Sequence, residues 1–136
     1  MAANTAPIYS KGGNVDWGTV NTANTAKDGT GTVVTVFTAD TTNGGRCEYL
    51  RVRAAGTNVA TVLRVFINNG STNATASNNS LFTEETIAAT TLSEVAALTE
   101  TTIQLGVALD PNFKINITIG TTVAAGLAVT GVGGNY

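Results

Sequence analysis

Residues 59–67 read VATVLRVFI. Val59, Thr61, Leu63, Val65 and Ile67 recur at every second position, and in an extended chain such residues share one face. A helix would scatter them around its circumference, so the period of two predicts a strand. A one-sided apolar stripe of that length has to be covered by a second layer. The stretch is introduced by the turn residues Gly56, Thr57 and Asn58, and the whole phrase GTNVATVLRV (56–65) returns as GTTVAAGLAV (120–129), identical at six of ten positions. The second copy lies between FKINITI (113–119), which places Phe113, Ile115, Ile117 and Ile119 on one face, and GLAVTGV (126–132). Both copies are therefore expected to form the corner of a β-hairpin, with the glycine permitting a turn conformation that other residues adopt only at a cost. Shared turn chemistry and an ancient duplication both account for the repetition.

Further strands follow outward from these two. TVVTVFT (32–38) sets Val34 and Val36 against Val33, Thr35 and Phe37, and RCEYLRVRAA (46–55) sets Leu50, Val52 and Ala54 against Tyr49, Arg51 and Arg53. Strands are also expected near 81–87 and over TTIQLGVAL (101–109), the latter closed by the turn Asp110-Pro111-Asn112. NNGSTNATASNNS (68–80) is a polar loop, and TLSEVAALT (91–99) a helical turn or an irregular crossover. About seven or eight short alternating strands predict an all-β fold, an antiparallel β-sandwich or jelly-roll-like barrel. Residues 1–32, interrupted by Gly12, Gly13, Gly18, Gly29 and Gly31, read as an extended N-terminal arm carrying three large anchors, Ile8, Tyr9 and Trp17; residues 33–136 form the single β-sandwich domain.

Charged residues make up only 12% of the chain, about half the usual share, with Thr and Asn as the polar stock. A formal net charge of −2 provides no long-range attraction for nucleic acid or anionic membrane, so neither is an expected partner. The weakly charged surface instead suits a protein docked in an assembly. The segment MAANTAPIYSKGG (1–13) has no basic region followed by an apolar one, so no signal peptide is expected, and no apolar run approaches the ~20 residues of a membrane helix. The sequons at Asn69, Asn73, Asn78 and Asn116 are read as by-products of an Asn/Thr-rich chain.

The chain contains no histidine and one cysteine, Cys47. Ser-His-Asp and Cys-His nucleophiles, His-containing metal sites and thiolate zinc sites are thereby excluded. Glu84 and Glu85 are adjacent and point to opposite faces of a strand, so they do not form the cooperating carboxylate pair of a glycosidase. Asp16, Asp28 and Asp40 are too scattered for a calcium loop, and DGTGT (28–32) lacks the Lys-Ser/Thr continuation of a phosphate-binding loop. No enzyme activity, cofactor or metal is expected. The residues that invite a functional reading are Tyr49, Arg51 and Arg53, which present one aromatic and two guanidinium groups on a single strand face. Either they pair across strands with glutamates, or they meet an acidic partner. Trp17 either caps the end of the fold or anchors an interface; Ile8 and Tyr9 on the arm are candidates for exchange onto a neighbouring subunit.

The phrases ANTAPIY (3–9), WGTVNTANTAKDGTGTVVTVFTA (17–39), LRVRAAGTNVATVLRVFINNGST (50–72) and the TLSEVAALT to NITIGTTVAAG region (91–126) resemble small structural proteins of tailed bacteriophages, and within them the head decoration, or cement, proteins. The resemblance implies a β-rich virion protein made in the bacterial cytoplasm. It implies a homotrimer at three-fold positions of the outer capsid surface, with the major capsid protein as partner and neighbouring capsomers clamped together. It transfers no site residues. The rival expectation is a tail or fibre component that binds a host-surface glycan, for which the 68–80 loop offers amides and no aromatic platform.

Overall fold

The stripe at 59–67 becomes the centre of a sheet. The computed structural model describes residues 10–136, which form β1 (Gly12–Val20), β2 (Val34–Thr38), β3 (Gly45–Ala54), β4 (Thr61–Asn68), β5 (Asn79–Ile87), β6 (Glu100–Leu109), β7 (Lys114–Ile119) and β8 (Leu127–Asn135). They make two four-stranded antiparallel sheets, ordered β1-β8-β3-β6 and β2-β7-β4-β5. The sheets face one another across a single apolar core and are not closed into a barrel. Along one side β1 and β2 meet, with Asn14 Nδ2 donating to the Thr38 carbonyl at 2.7 Å. On the other side, β5 and β6 are edge strands without a further partner among the described residues.

The core follows the predicted stripes. Leu63 and Val65 of β4 lie opposite Ile119 and Ile117 of β7, and all four are fully buried. Leu50 and Val52 of β3 face them from the other sheet. Val59, placed on the same stripe by the sequence, precedes β4 and is exposed, and Ile67 is only partly buried at the strand's end. Bulges at Val36, Phe82 and Glu48 alter the alternation. An extra residue at Val36 in the β2–β7 pairing turns both Val36 and Phe37 into the core, where strict alternation had put them on opposite faces. An extra residue at Phe82 shifts the β4–β5 register beside Phe66.

Both copies of the repeated phrase make corners, but not of hairpins. Gly56–Asn58 carries the chain from β3 in one sheet to β4 in the other, and Gly120–Gly126 carries it from β7 to β8. Among the described strands only β4 and β5 are neighbours both in sequence and in the sheet. The two corners are stitched to each other. The buried Asn58 side chain donates to the Gly126 carbonyl and accepts from the Ala125 N–H, each at 2.8 Å. Thr61 Oγ1 accepts from the Thr121 N–H at 3.0 Å and donates to the Thr121 carbonyl at 3.1 Å. A Cβ on Gly56 would come within 2.9 Å of the Ala125 methyl, so the glycine lets the two copies close on one another.

Residues 12–20, assigned by the sequence to an extended arm, form β1 along the whole length of β8, from Gly12 opposite Asn135 to Val20 opposite Leu127. Their glycines serve close packing. A side chain on Gly18 would collide with Val34 Cγ1, because β1 lies against β2 at that point. The connection 21–33 then runs over the outer face of the second sheet. It is held at one end by the Asn24 N–H donating to the Ile119 carbonyl, and at the other by Asn73 and Asn79 donating to the carbonyls of Asp28, Gly29 and Gly31.

Candidate interaction surface

The register places four of the predicted residues on one solvent-facing surface. On the sheet β1-β8-β3-β6, Trp17 lies opposite Thr130, which lies opposite Arg51, which lies opposite Thr102. The next row reads Val15, Val132, Tyr49, Gln104, and the row on the other side Thr19, Ala128, Arg53, Glu100. Directly opposed residues share a face, so Trp17, Tyr49, Arg51 and Arg53 form a single patch. Trp17 and Arg51 stand two strands apart, about 10 Å. Trp17 is 69% and Val15 53% exposed. Trp17 and Val15 thus give this face an exposed apolar margin beside the arginines.

The charges are partly matched within the face. Glu100 takes Arg53 Nη1 at 3.2 Å and lies 4.0 Å from Arg51 Nε, so one carboxylate serves two guanidinium groups. The Arg51 guanidinium also rests 5.7 Å from the Tyr49 ring centroid. The bulge at Glu48 lets both Glu48 and Tyr49 lie on the outer side of β3, and Glu48 binds Arg46 Nε at 2.6 Å. Three arginines therefore face two glutamates, an excess of one positive charge on a face rimmed by Trp17, Val15 and Tyr49. Of the two expectations for these arginines, pairing with glutamate across the strands is what the geometry shows, and both guanidinium groups stay exposed beside Tyr49. These exposed ion pairs contribute little to stability.

Trp17 caps no end of the sandwich; it stands in mid-strand, pointing to solvent. Ile8 and Tyr9 lie outside the described residues. Val15 is the member of the patch that the sequence reading passed over. Its signal was the alternation Val15, Trp17, Thr19, masked by the glycines around it.

Elsewhere the chemistry is sparse. Glu84 leans on Arg64 Nε at 2.8 Å, and among the described residues no three metal-binding side chains cluster. Burial pushes the Cys47 thiol up to about 12, with the neighbouring Glu48 charge adding to the effect, so this cysteine is a core residue and not a nucleophile. Asp40, at the β2–β3 turn, accepts from the Asn43 and Thr42 N–H groups at 2.8 and 3.0 Å, which holds its carboxyl below the usual range. The outer face of the second sheet is more closed than its sequence suggested. Asn116 and Thr118 of β7 and Phe66 of β4 are buried there, on the face crossed by the 21–33 connection. Compared with known protein families, curated proteins and solved structures, the chain matches none.

Proposed function

We propose that this chain is a non-enzymatic structural protein of a phage virion, a decoration or cement protein that binds the outer capsid surface through the sheet face bearing Trp17, Tyr49, Arg51 and Arg53. The observation that carries this reading is the convergence of those four side chains, with Val15, on one solvent-facing patch. Aromatic residues and arginines are enriched at protein interfaces, because they combine large contact area with directional hydrogen bonds. The small positive excess on the patch suits an acidic site on the major capsid protein.

The jelly-roll reading of the fold belongs to the same proposal. Its support is the pairing of β1 with β8, β2 with β7, β3 with β6 and β4 with β5, as in one long hairpin wound around a core. Jelly rolls of eight strands recur among viral coat proteins. The assembly implied by the resemblance is a homotrimer at three-fold positions, and clamping follows from mass action. Each copy binds the expanded lattice more tightly than the unexpanded one, and many copies add their differences.

The test is co-sedimentation of purified protein with capsid shells stripped of it. Trp17→Ala combined with Arg51→Glu and Arg53→Glu is expected to weaken shell binding by about thirtyfold or more, the loss of at least one hot-spot contact. Because all three side chains are solvent-facing, circular dichroism and melting temperature are expected to stay close to those of the parent. Shell affinity unchanged in the triple variant would overturn the assignment of this face. The rival reading, a tail or fibre component binding a host-surface glycan, predicts no saturable binding to shells by either protein.

A further inference from the structure

The outer face of the second sheet, β2-β7-β4-β5, carries a polar cleft of about 210 Å³ between β2, β7 and the β4–β5 loop. It lies on the sheet opposite the proposed docking face. The side chains around it are those of Thr35, Lys114, Asn116, Ser71, Thr72 and Asn73, with Asn68, Gly70 and Val33 at the margins. One cation and no carboxylate are present, and Lys114 has no acidic partner among the described residues.

The floor is built by Asn116, which is 3% exposed. Its Oδ1 accepts from Thr35 Oγ1 at 2.7 Å, and its Nδ2 makes no hydrogen bond among the described residues. The Asn116 amide nitrogen is not sealed from solvent, so its two N–H donors are open to an acceptor in the cleft. Asn73 shows the reverse. Its Nδ2 is spent on the Gly29 and Gly31 carbonyls at 3.1 and 2.7 Å, which leaves its Oδ1 as an acceptor. Thr35, having donated its proton to Asn116, is likewise an acceptor. The walls are fixed in advance: Asn68 Nδ2 donates to Asn79 Oδ1 and its Oδ1 accepts from the Gly70 N–H, each at 2.8 Å.

We propose that this cleft binds a single carboxylated sugar, of the hexuronate class. The Lys114 ammonium and Asn116 Nδ2 supply charge and a donor for the carboxylate. Asn73 Oδ1, Thr35 Oγ1 and the hydroxyls of Ser71 and Thr72 take the ring hydroxyl groups. The volume is below the ~300–1,000 Å³ of sites for drug-sized ligands, which restricts the occupant to about one sugar ring. No aromatic side chain lines the cleft, so the affinity of one site is low and becomes useful through many copies on one particle. That multivalent use rests on the shell-surface reading; binding at the cleft does not.

The experiment is a titration of the full chain, labelled with ¹⁵N, with glucuronate, and separately with glucose and with acetate. Glucuronate is expected to give saturable shifts of the amides at 70–73, 114 and 116, with glucose and acetate each binding more weakly. Lys114→Gln is expected to weaken glucuronate binding about tenfold, the loss of a charge-assisted hydrogen bond, with little effect on glucose. Acetate binding as tightly as glucuronate, an unchanged affinity in Lys114→Gln, or the absence of saturable shifts at these amides would each overturn the proposal. None of these outcomes bears on shell binding, which reports on the opposite face.

Discussion

Thr118 and Cys47 illustrate what burial does to single residues here. Thr118 sits between Ile117 and Ile119, 1% exposed, and its hydroxyl has no hydrogen-bond partner among the described residues. An unpaired buried hydroxyl carries a desolvation cost that an isosteric methyl avoids. Thr118→Val is therefore expected to stabilise the protein by about 1 kcal/mol, read as a raised urea midpoint; a lowered midpoint would mean that the hydroxyl is paired. Cys47 lies wholly within the core, and its thiol titrates near 12 against an ordinary value of 9.0. Between those values the unfolded chain has lost a proton that the folded chain keeps, so this group's effect is a stability that falls as pH rises from about 9 towards 12. Below that window it has no effect on stability. The urea midpoint is expected to fall more steeply above pH 9 in the parent than in Cys47→Ala, and equal slopes would contradict the assignment. The burial of neither Cys47 nor Thr118 was legible in the sequence. Thr118 lies opposite Arg64 of β4, which is distant in the chain, and alternation alone does not show what covers it.

At the scale of elements, strand existence was legible wherever apolar residues alternated, because the pleat writes burial with a period of two. The stripes of β3, β4 and β7 were found in this way. β1 was read as part of an extended arm because Gly12, Gly13 and Gly18 interrupt its alternation; Gly18 is required by the approach of Val34. The bulge at Val36 was invisible, since a one-residue insertion is set by the partner strand. Connectivity failed for a related reason. A Gly-Thr-Asn corner fits a hairpin and a crossing between sheets equally well, and only tertiary contacts decide between them. Those contacts centre on Asn58, whose side chain joins the two copies of the repeated phrase. Asn58→Ala is expected to cost about 2–3 kcal/mol, because it leaves the Gly126 carbonyl and the Ala125 N–H without their partner, and thermal unfolding measures it. A loss within experimental error would show that the two corners do not depend on one another.

For the whole molecule, the two sheets present different chemistry to solvent. One outer face is aromatic and cationic; the other is crossed by a connection and carries a polar cleft. The residue types of the first face were legible in the sequence, as Tyr49, Arg51, Arg53 and Trp17. Their union was not, since Trp17 joins the arginines only through the pairing of β1 with β8 and of β8 with β3. A protein that holds a shell by one face has to be present in numbers that match the shell. The direct measurement is its copy number in purified virions, by quantitative mass spectrometry against the major capsid protein. The decoration reading predicts an abundance comparable to that of the shell protein. A handful of copies per particle, or none, would contradict it.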